Sequence, residues 1–565
     1  MSLRKFYDPL YDVVAFQKRY YGAVRSSIFS SLVQETSELH RLNFVKQEGL
    51  MWLSFPSATH SRYSATLGTW HLADVAIDNI PVVWLDHDGR TERTNLGTYL
   101  GEWVEEFRLA VLLHDIGHFP FSLTIETNDD LKNTFCDYNK ERYGEIDLRH
   151  ENFAISMLWK TIPDSRLAEQ IECIWHLYRD YKESKKLEER RWISDYLSGM
   201  GKRGIDLDKL CYLLNPDPDA EFDKAQLGER KHKDVPPLTQ KFLKQAKELI
   251  IGSVDLGHLD RYGRVTHFVS GRAGGLPVRP FIQNVVLQAS TQSRFDEEKP
   301  MDFDPDFQIG IAAEGVDFAF QILYFVTNVL IPNILNDEDR LAYETMINVA
   351  INLHWKSLDK VENTKEKDKL AFRRFLPFYG DDEVMTELDR SDDDDVRKLT
   401  SRIRQRKPFK CVGKFQLGLD RYAELLSSAT SIAHCRHLLR EELRRVLPED
   451  CYVRLTKSFG KSIRAKGGGD LACGEDSTSP HRDDWMDMDR LYTIADSGKC
   501  TPLTDTLGFS ESANLIKKQV DLQRRTFWVF TDAITESGSE LKKKRTEIKA
   551  LFASEKILSR KPKRS

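Results

Sequence analysis

The sequence predicts a mainly α-helical protein with a smaller α/β lobe toward its C-terminal end. Three observations predict this. Apolar residues recur at three- and four-residue spacing from residue 20 to about 375, as in Leu109, Leu112 and Leu113 and again in Val316, Phe320, Leu323, Val326 and Leu330. The 31 Gly and 20 Pro are about 9 % of the chain, below the usual ~12 %, so the helical pattern is seldom broken. Beyond Arg406 the texture changes to short β-branched and aromatic runs, Cys451-Tyr452-Val453-Arg454-Leu455 and Thr526-Phe527-Trp528-Val529-Phe530, which read as strands.

Taken in order, Phe55-Pro56-Ser57 punctuates the first helices. Leu85 to Thr94 reads as a polar loop. Asn215 to Asp219 opens a polar excursion that lasts to Pro236-Pro237, and the acidic run Asp392 to Asp395 reads as a helix start. These divisions give a core over 1–406, a C-terminal α/β lobe over 407–555 and a basic tail over 556–565 that is expected to be disordered. At roughly 150 residues per domain, 565 residues amount to three or four domain lengths.

Composition removes several function classes. With 83 basic and 88 acidic residues the net charge is −5, so no global charge advertises nucleic acid or membrane. The tail Lys561-Pro562-Lys563-Arg564 would add only salt-sensitive nucleic-acid affinity. No apolar run approaches the roughly 20 residues of a spanning helix, and Met1 to Tyr11 has no signal-peptide hydrophobic region, so no membrane partner is expected. The eight Cys form no C-x-x-C pair, and a reducing cytoplasm is the expected compartment. Lys466-Gly467-Gly468-Gly469-Asp470 lacks the order of a phosphate-binding loop and reads as a flexible loop.

The chemistry concentrates in Val111-Leu112-Leu113-His114-Asp115-Ile116-Gly117-His118-Phe119-Pro120-Phe121-Ser122. An imidazole and a carboxylate side by side at the end of an apolar helix suit a divalent cation. His118 follows His114 by four residues and would share its face if the helix continued, although Gly117 and Pro120 argue that it stops nearby.

This string resembles the signature of the HD superfamily of metal-dependent phosphohydrolases, in its dNTP triphosphohydrolase branch. The likeness runs from about Val33 to Phe552, without an N-terminal sterile-alpha-motif domain. Leu39 to Gln47 resembles the family's early helix, and Phe55 to Gly68 follows its FPGAxHxRFEHSLG pattern. Arg149-His150-Glu151 resembles its later His-Glu element, Ile250 to Asp255 the approach to its last metal ligand, and Arg406 to Gly413 the join to its C-terminal lobe.

The resemblance implies an HD-domain helical core that hydrolyses a dNTP to deoxynucleoside and triphosphate on one divalent metal held by two His and two Asp. It implies that His114 and Asp115 are metal ligands, that Arg62 contacts phosphate and Gln47 the sugar, and that His118 and His150 assist hydrolysis. It also implies a homo-oligomer.

The departures bear on the metal. The family's first ligand, the His of RFEHSLG, falls on Ala65, whose methyl cannot ligate. The last, the second Asp of D-x-D-[KR]-x-D-Y-x-x-R-D, falls on Gly257 in the match Asp255 to Val265. Asp260 could share the face of Gly257 and substitute for it. Alternatively Asp206-Leu207-Asp208-Lys209 is the true motif. Leu123 replaces the final His of GHxPFSH, and Arg261 stands where the family has Tyr. Glu35, His40 and Asn43 do not match the relatives' activating guanine-nucleotide site. Two functions follow: an HD-family nucleotide phosphohydrolase with an altered metal site, or an inactive descendant that binds nucleotide or nucleic acid as a regulatory subunit.

Overall fold

The computed structural model describes residues 5–15, 17–20, 23–26, 36–126, 150–158, 165–171, 205–216, 235–252, 254–270, 275–299, 302–359, 378–428, 432–444, 446–447, 451–455, 492–494, 500–502, 525–531 and 538–553. Most described elements are helices, and the apolar spacing accounts for them. Val104–Leu113 is buried from Glu105 to Leu113, its apolar residues packed in the core and its Arg108 paired with Asp74 and Glu105. It packs against the long Arg62–Asn79 helix. Helix Leu207–Leu214 packs beside it, His150–Leu158 packs against Leu207–Leu214, and Leu256–Val269 lies along Arg62–Asn79.

Strands interrupt this helical mass where the sequence suggested none. Pro81–Asp86 and Thr91–Asn95 form an antiparallel hairpin, Pro81 opposite Asn95 and Leu85 opposite Thr91, so the polar loop expected over Leu85 to Thr94 is corrected to a turn between two strands. The second strand is exposed on the sheet edge, and its polar residues gave no alternating signal. The hairpin belongs to a sheet in which Val285–Ala289, Phe307–Ala312, Tyr492–Ile494 and Cys500–Pro502 follow in that order outward from Pro81–Asp86.

The second sheet places Thr526–Thr531 between Lys410–Gln416 and Cys451–Leu455, both antiparallel to it. Its central strand is buried on both faces. Trp528 and Phe530 enter the main core, while Phe527 and Val529 enter a separate apolar cluster with Val412, Phe415, Leu439 and Phe552. The period-2 alternation of one strand thus serves two cores. Both strands expected beyond Arg406 are present, and the acidic run becomes the start of Asp394–Arg404, capped by Asp393.

Ala313–Leu335 forms 23 residues of helix, within which an 18-residue stretch has mean hydropathy 1.6 and is 44 % buried. By length and composition it could cross a membrane, which corrects the reading that no such run exists. Its inner residues Ala319, Ile322, Leu323 and Leu330 pack in the main core. The excursion over 217–234, Lys466–Asp470, Arg149, Glu35 and the tail from Lys561 lie outside the described residues.

Candidate functional site

The His-Asp pair sits where the buried helix ends. Val104–Leu113 stops at His114, and Ile116 and His118 close tight turns onto the carbonyls of Leu113 (3.0 Å) and Asp115 (3.1 Å). His114 Nδ1 lies 2.7 Å from the Val111 carbonyl. A donor at Nδ1 leaves the Nε2 lone pair free, and Nε2 is 3.4 Å from Asp115 Oδ1.

The turn that follows is held from two distant parts of the chain. Arg41 donates to the carbonyls of Ile116 (2.9 Å), His118 (2.7 Å) and Tyr379 (3.1 Å). Phe121 and Ser122 have φ of 56° and 55°, the left-handed region that side chains disfavour. Asp381 offsets this cost by accepting from the Phe121 N–H (2.6 Å) and the Lys46 N–H (2.9 Å). Burial pushes the Asp381 carboxyl up to about 7 against the pull of those two bonds.

Ser122 anchors Arg62. The guanidinium donates from Nε (3.0 Å) and Nη2 to Ser122 Oγ, and from Nη1 to Asp115 Oδ1 (3.1 Å). Burial alone would raise the Asp115 carboxyl, but His114, Arg62 and His118 outweigh it and hold the carboxyl well below its usual range.

His118 and His150 stack with ring centroids 3.7 Å apart and planes 15° from parallel. One carboxylate orients both. Glu126 contacts His118 Nδ1 through one oxygen and His150 Nδ1 (3.2 Å) through the other. His118 Nε2 is thereby turned onto Asp115 Oδ1 at 3.0 Å. His150 Nε2 lies 3.3 Å from Glu151.

Two stacked imidazoles cannot both carry charge cheaply, and the environment separates them. Burial and the Arg62 cation lower His118. Burial also opposes charge on His150, but Glu151 and Glu126 overcome it and raise His150 to about 10. Gly117 permits the arrangement, because a Cβ there would lie 2.0 Å from the His150 carbonyl oxygen. The His150 helix can approach only a glycine so closely.

Asp115, His118 and His150 each offer a ligand atom within 4.8 Å of the others. Three ligands with an open position, two of them imidazoles steered through Nδ1 by a carboxylate, suit a divalent cation. A second cluster, Asp86, His87 and Asp88, lies in the exposed hairpin turn.

The residues expected from sequence divide accordingly. His114, Asp115, Arg62, His118 and His150 come together in one buried cluster. Gly257 also reaches it, since its Cβ position is 2.8 Å from His114 Nε2 and 3.1 Å from Asp255 Oδ1. This places the family's last ligand position at the site and supports the alignment over Asp255 to Val265. Asp208, by contrast, is exposed at the start of its helix, where Asp206 caps the backbone.

Asp260, expected as a replacement ligand, stands outside the three-donor group. Its carboxylate takes Arg264 Nε at 2.6 Å, and Arg264 Nη2 also holds Asp8 at 2.7 Å. That buried pairing engages one oxygen of the Asp260 carboxylate, Oδ2. Gln47 is buried beside the site's backbone, its N–H bonded to the His60 carbonyl at 3.1 Å. Glu126 escaped the sequence reading because it ends a four-residue helix with no periodic signal. A carboxylate eight residues after His118, just past a Pro-containing turn, is the cue that could have found it.

No family model matches the chain. A deoxynucleoside triphosphate triphosphohydrolase homolog of Dictyostelium discoideum is 32 % identical over 184 residues, 32 % of this chain and 31 % of that protein. An HD domain-containing protein of Acanthamoeba polyphaga mimivirus is 35 % identical over 104 residues, 18 % of this chain and 23 % of that one. With the His114-Asp115 turn and its surrounding helices in place, these likenesses decide the family. The chain belongs to the HD-domain superfamily. It spans a third or less of the length of the relatives it matches in sequence. A phosphohydrolase structure from Bacteroides thetaiotaomicron has a similar fold at 14 % identity and TM-score 0.50, covering 94 % of this HD-domain chain and all of that one. HD phosphohydrolases are metal-dependent, and among the described residues Asp115, His118 and His150 could hold a metal ion.

Proposed function

We propose that this HD-domain chain is a metal-dependent nucleotide phosphohydrolase that cleaves a dNTP to deoxynucleoside and triphosphate. The observation that carries the reading is Glu126, which turns His118 onto Asp115 and holds His150 stacked against His118, beside an anchored Arg62. Asp115, His118 and His150 would hold a divalent cation, with His114 Nε2 as a further donor. Such a cation supplies Lewis-acid chemistry at a phosphate. Arg62, gripped by Ser122 at Nε and Nη2, can swing Nη1 from Asp115 to a phosphate oxygen and stabilise charge there. His118 and His150 are the proton-transfer groups when they are not ligands. The reading extends to a homo-oligomer in the cytoplasm.

The test is a hydrolysis screen of dNTPs, NTPs and single-stranded oligonucleotides with added manganese, iron, zinc or magnesium, run in oxygen-18 water. Label recovered in triphosphate, and none in the deoxynucleoside, marks attack on the α-phosphorus. Absence of turnover with every metal and nucleotide would refute the reading. One observation favours a second reading, a non-catalytic nucleotide- or nucleic-acid-binding subunit: Arg62 Nη1 holds the same Asp115 oxygen that a cation needs, while Ala65 and Gly257 bring no ligand. Tight nucleotide binding without turnover would establish it.

A further inference from the structure

Helix Asp381–Asp389 starts with a run of acidic residues, Asp381-Asp382-Glu383, after its N-cap Gly380. Carboxylates belong there, because the first-turn N–H groups have no partner within the helix. Glu383 fills that role and folds back to accept from the Gly380 N–H. The buried Asp381 carboxylate instead turns away from its helix. Its Oδ1 accepts from the Phe121 N–H at 2.6 Å and its Oδ2 from the Lys46 N–H at 2.9 Å.

Those two N–H groups belong to the two segments that fix Arg62. Lys46 stands opposite Ser61 in a short antiparallel pairing, in which the Gln47 N–H bonds to the His60 carbonyl at 3.1 Å and the Arg62 N–H to the Val45 carbonyl at 2.8 Å. The Lys46 segment therefore holds the backbone of Arg62. Phe121 precedes Ser122, whose Oγ accepts from the Arg62 guanidinium at Nε (3.0 Å) and Nη2. The Phe121 turn therefore holds the far end of the same side chain. These contacts close a ring that runs from Asp381 through Lys46, Arg62, Ser122 and Phe121 back to Asp381.

The start of the helix is seated tightly on one side of this ring. A Cβ on Gly380 would lie 2.5 Å from the Phe44 Cβ and 2.9 Å from the Phe44 carbonyl oxygen, two residues before Lys46. Arg41 ties the same segment to the other side, donating to the Tyr379 carbonyl (3.1 Å) and to those of Ile116 (2.9 Å) and His118 (2.7 Å).

We propose that Asp381 is a positioning residue for the phosphate contact: by holding Lys46 and Phe121 at a fixed separation, it sets where Arg62 Nη1 reaches. The inference rests on the phosphohydrolase reading above, in which Nη1 passes from Asp115 to a phosphate oxygen. A carboxylate suits the task because both of its oxygens accept. An amide of the same shape offers one accepting oxygen, and its NH₂ would face the second N–H, donor against donor. Asp381→Asn must therefore release either the backbone beside Arg62 or the turn that anchors its guanidinium.

The test is a double-mutant cycle between Asp381→Asn and Arg62→Ala. Turnover of dNTPs with added manganese, and calorimetric binding of inorganic triphosphate with calcium, would be measured for wild type, both single variants and the pair, with urea unfolding alongside. A displacement of about 1 Å can cost 100-fold in rate, so Asp381→Asn alone should lower kcat/KM by about 10- to 100-fold and weaken triphosphate binding. In the Arg62→Ala background the same change should cost less than about twofold in both measurements, since the group it positions is gone. Gly380→Ala should push Asp381 off Lys46 and show the same dependence on Arg62 in milder form; at φ −87° the added methyl meets no backbone strain of its own. It carries the test if Asp381→Asn fails to fold. A role in stability alone predicts equal losses in both backgrounds. That result, or a fully active Asp381→Asn protein, would overturn the inference and leave the phosphohydrolase reading intact. A wild-type protein that neither turns over a nucleotide nor binds triphosphate would remove that reading and the positioning role with it.

Discussion

Replacing Gly117 by Ala is the most direct probe of how the site is assembled. The added Cβ would lie 2.0 Å from the His150 carbonyl oxygen, 2.9 Å from its carbonyl carbon and 3.0 Å from the Ala154 nitrogen. All three are backbone atoms, so no side chain can rotate away. The His150 helix must retreat by about 1 Å merely to bring the closest contact to 3.0 Å, below which real Cβ contacts essentially never fall. A shift of that size strains the 3.2 Å contact from His150 Nδ1 to Glu126 and opens the 3.7 Å stack on His118. Overpacking of this kind costs about 1–3 kcal/mol in stability. Misplacing a reacting group by about 1 Å can cost 100-fold in rate. Urea unfolding, metal titration and dNTP hydrolysis would be measured together. The expected result is a modest loss of stability with a much larger loss of metal affinity and turnover. A Gly117→Ala protein that matches wild type in all three would mean that the close approach of the His150 helix does not set the site.

Further predictions concern the charges. Ligation by His150 requires loss of a proton held to about pH 10, at about 1.4 kcal/mol per unit. Apparent metal affinity should therefore rise by up to tenfold per pH unit between 6 and 9, and metal in protein purified near neutral pH should be substoichiometric; elemental analysis across pH checks both. Arg62→Ala should lower dNTP turnover at least about 100-fold by removing a charged partner from the phosphate, yet tighten metal binding, because Asp115 Oδ1 loses its competitor; equal catalytic efficiency at matched folding would remove Arg62 from the site. Ala65→His with Gly257→Asp should raise metal occupancy, provided the His114 ring yields the few tenths of an ångström that a side chain at 257 demands; unchanged occupancy would show that position 257 no longer faces a usable cation position. Light scattering at micromolar concentration, with and without nucleotide, should detect a dimer or tetramer, and monomer alone would contradict the oligomer reading.

The sequence revealed the centre of the site and not its supports. His114, Asp115 and His118 stand within five residues, so a local string displays them, and Arg62 and His150 followed from the resemblance to the HD family. What holds them is non-local. Asp381 grips the Phe121 N–H from 260 residues away, and Arg41 reaches the turn from 75 residues upstream. No periodicity records such a pairing. The surroundings of Asp260 stayed hidden for a related reason. Its helical spacing from Gly257 was visible, but its partner Arg264, one turn further on, is itself tied to Asp8, 256 residues away. The fold divides in the same way. Buried helices and the doubly buried Thr526–Thr531 strand declare themselves by apolar content, whereas Thr91–Asn95, exposed at a sheet edge, has a loop's composition.

The buried charges around Asp115 bear on whether this HD domain still works. Asp115, Glu126 and Glu151 face Arg62 and His150 in a space where every side chain is shielded from water. Burying such groups forfeits hydration, and the attraction between them often does no more than restore what was lost; well-packed apolar residues of similar volume frequently do better. The cluster is therefore poorly explained as a device for stability. Its internal arrangement is specific: one carboxylate orients two imidazoles, their proton affinities are driven apart, and a serine holds a guanidinium with one nitrogen left to reach a second carboxylate, Asp115. Groups whose proton affinities are separated in this way mark functional sites more often than structural ones. Ala65 and Gly257 bring no donors where the family has its first and last ligands, while the His118–Glu126–His150 arrangement is whole, which is why metal affinity should answer to the protonation of His150 more than to any other residue of the chain.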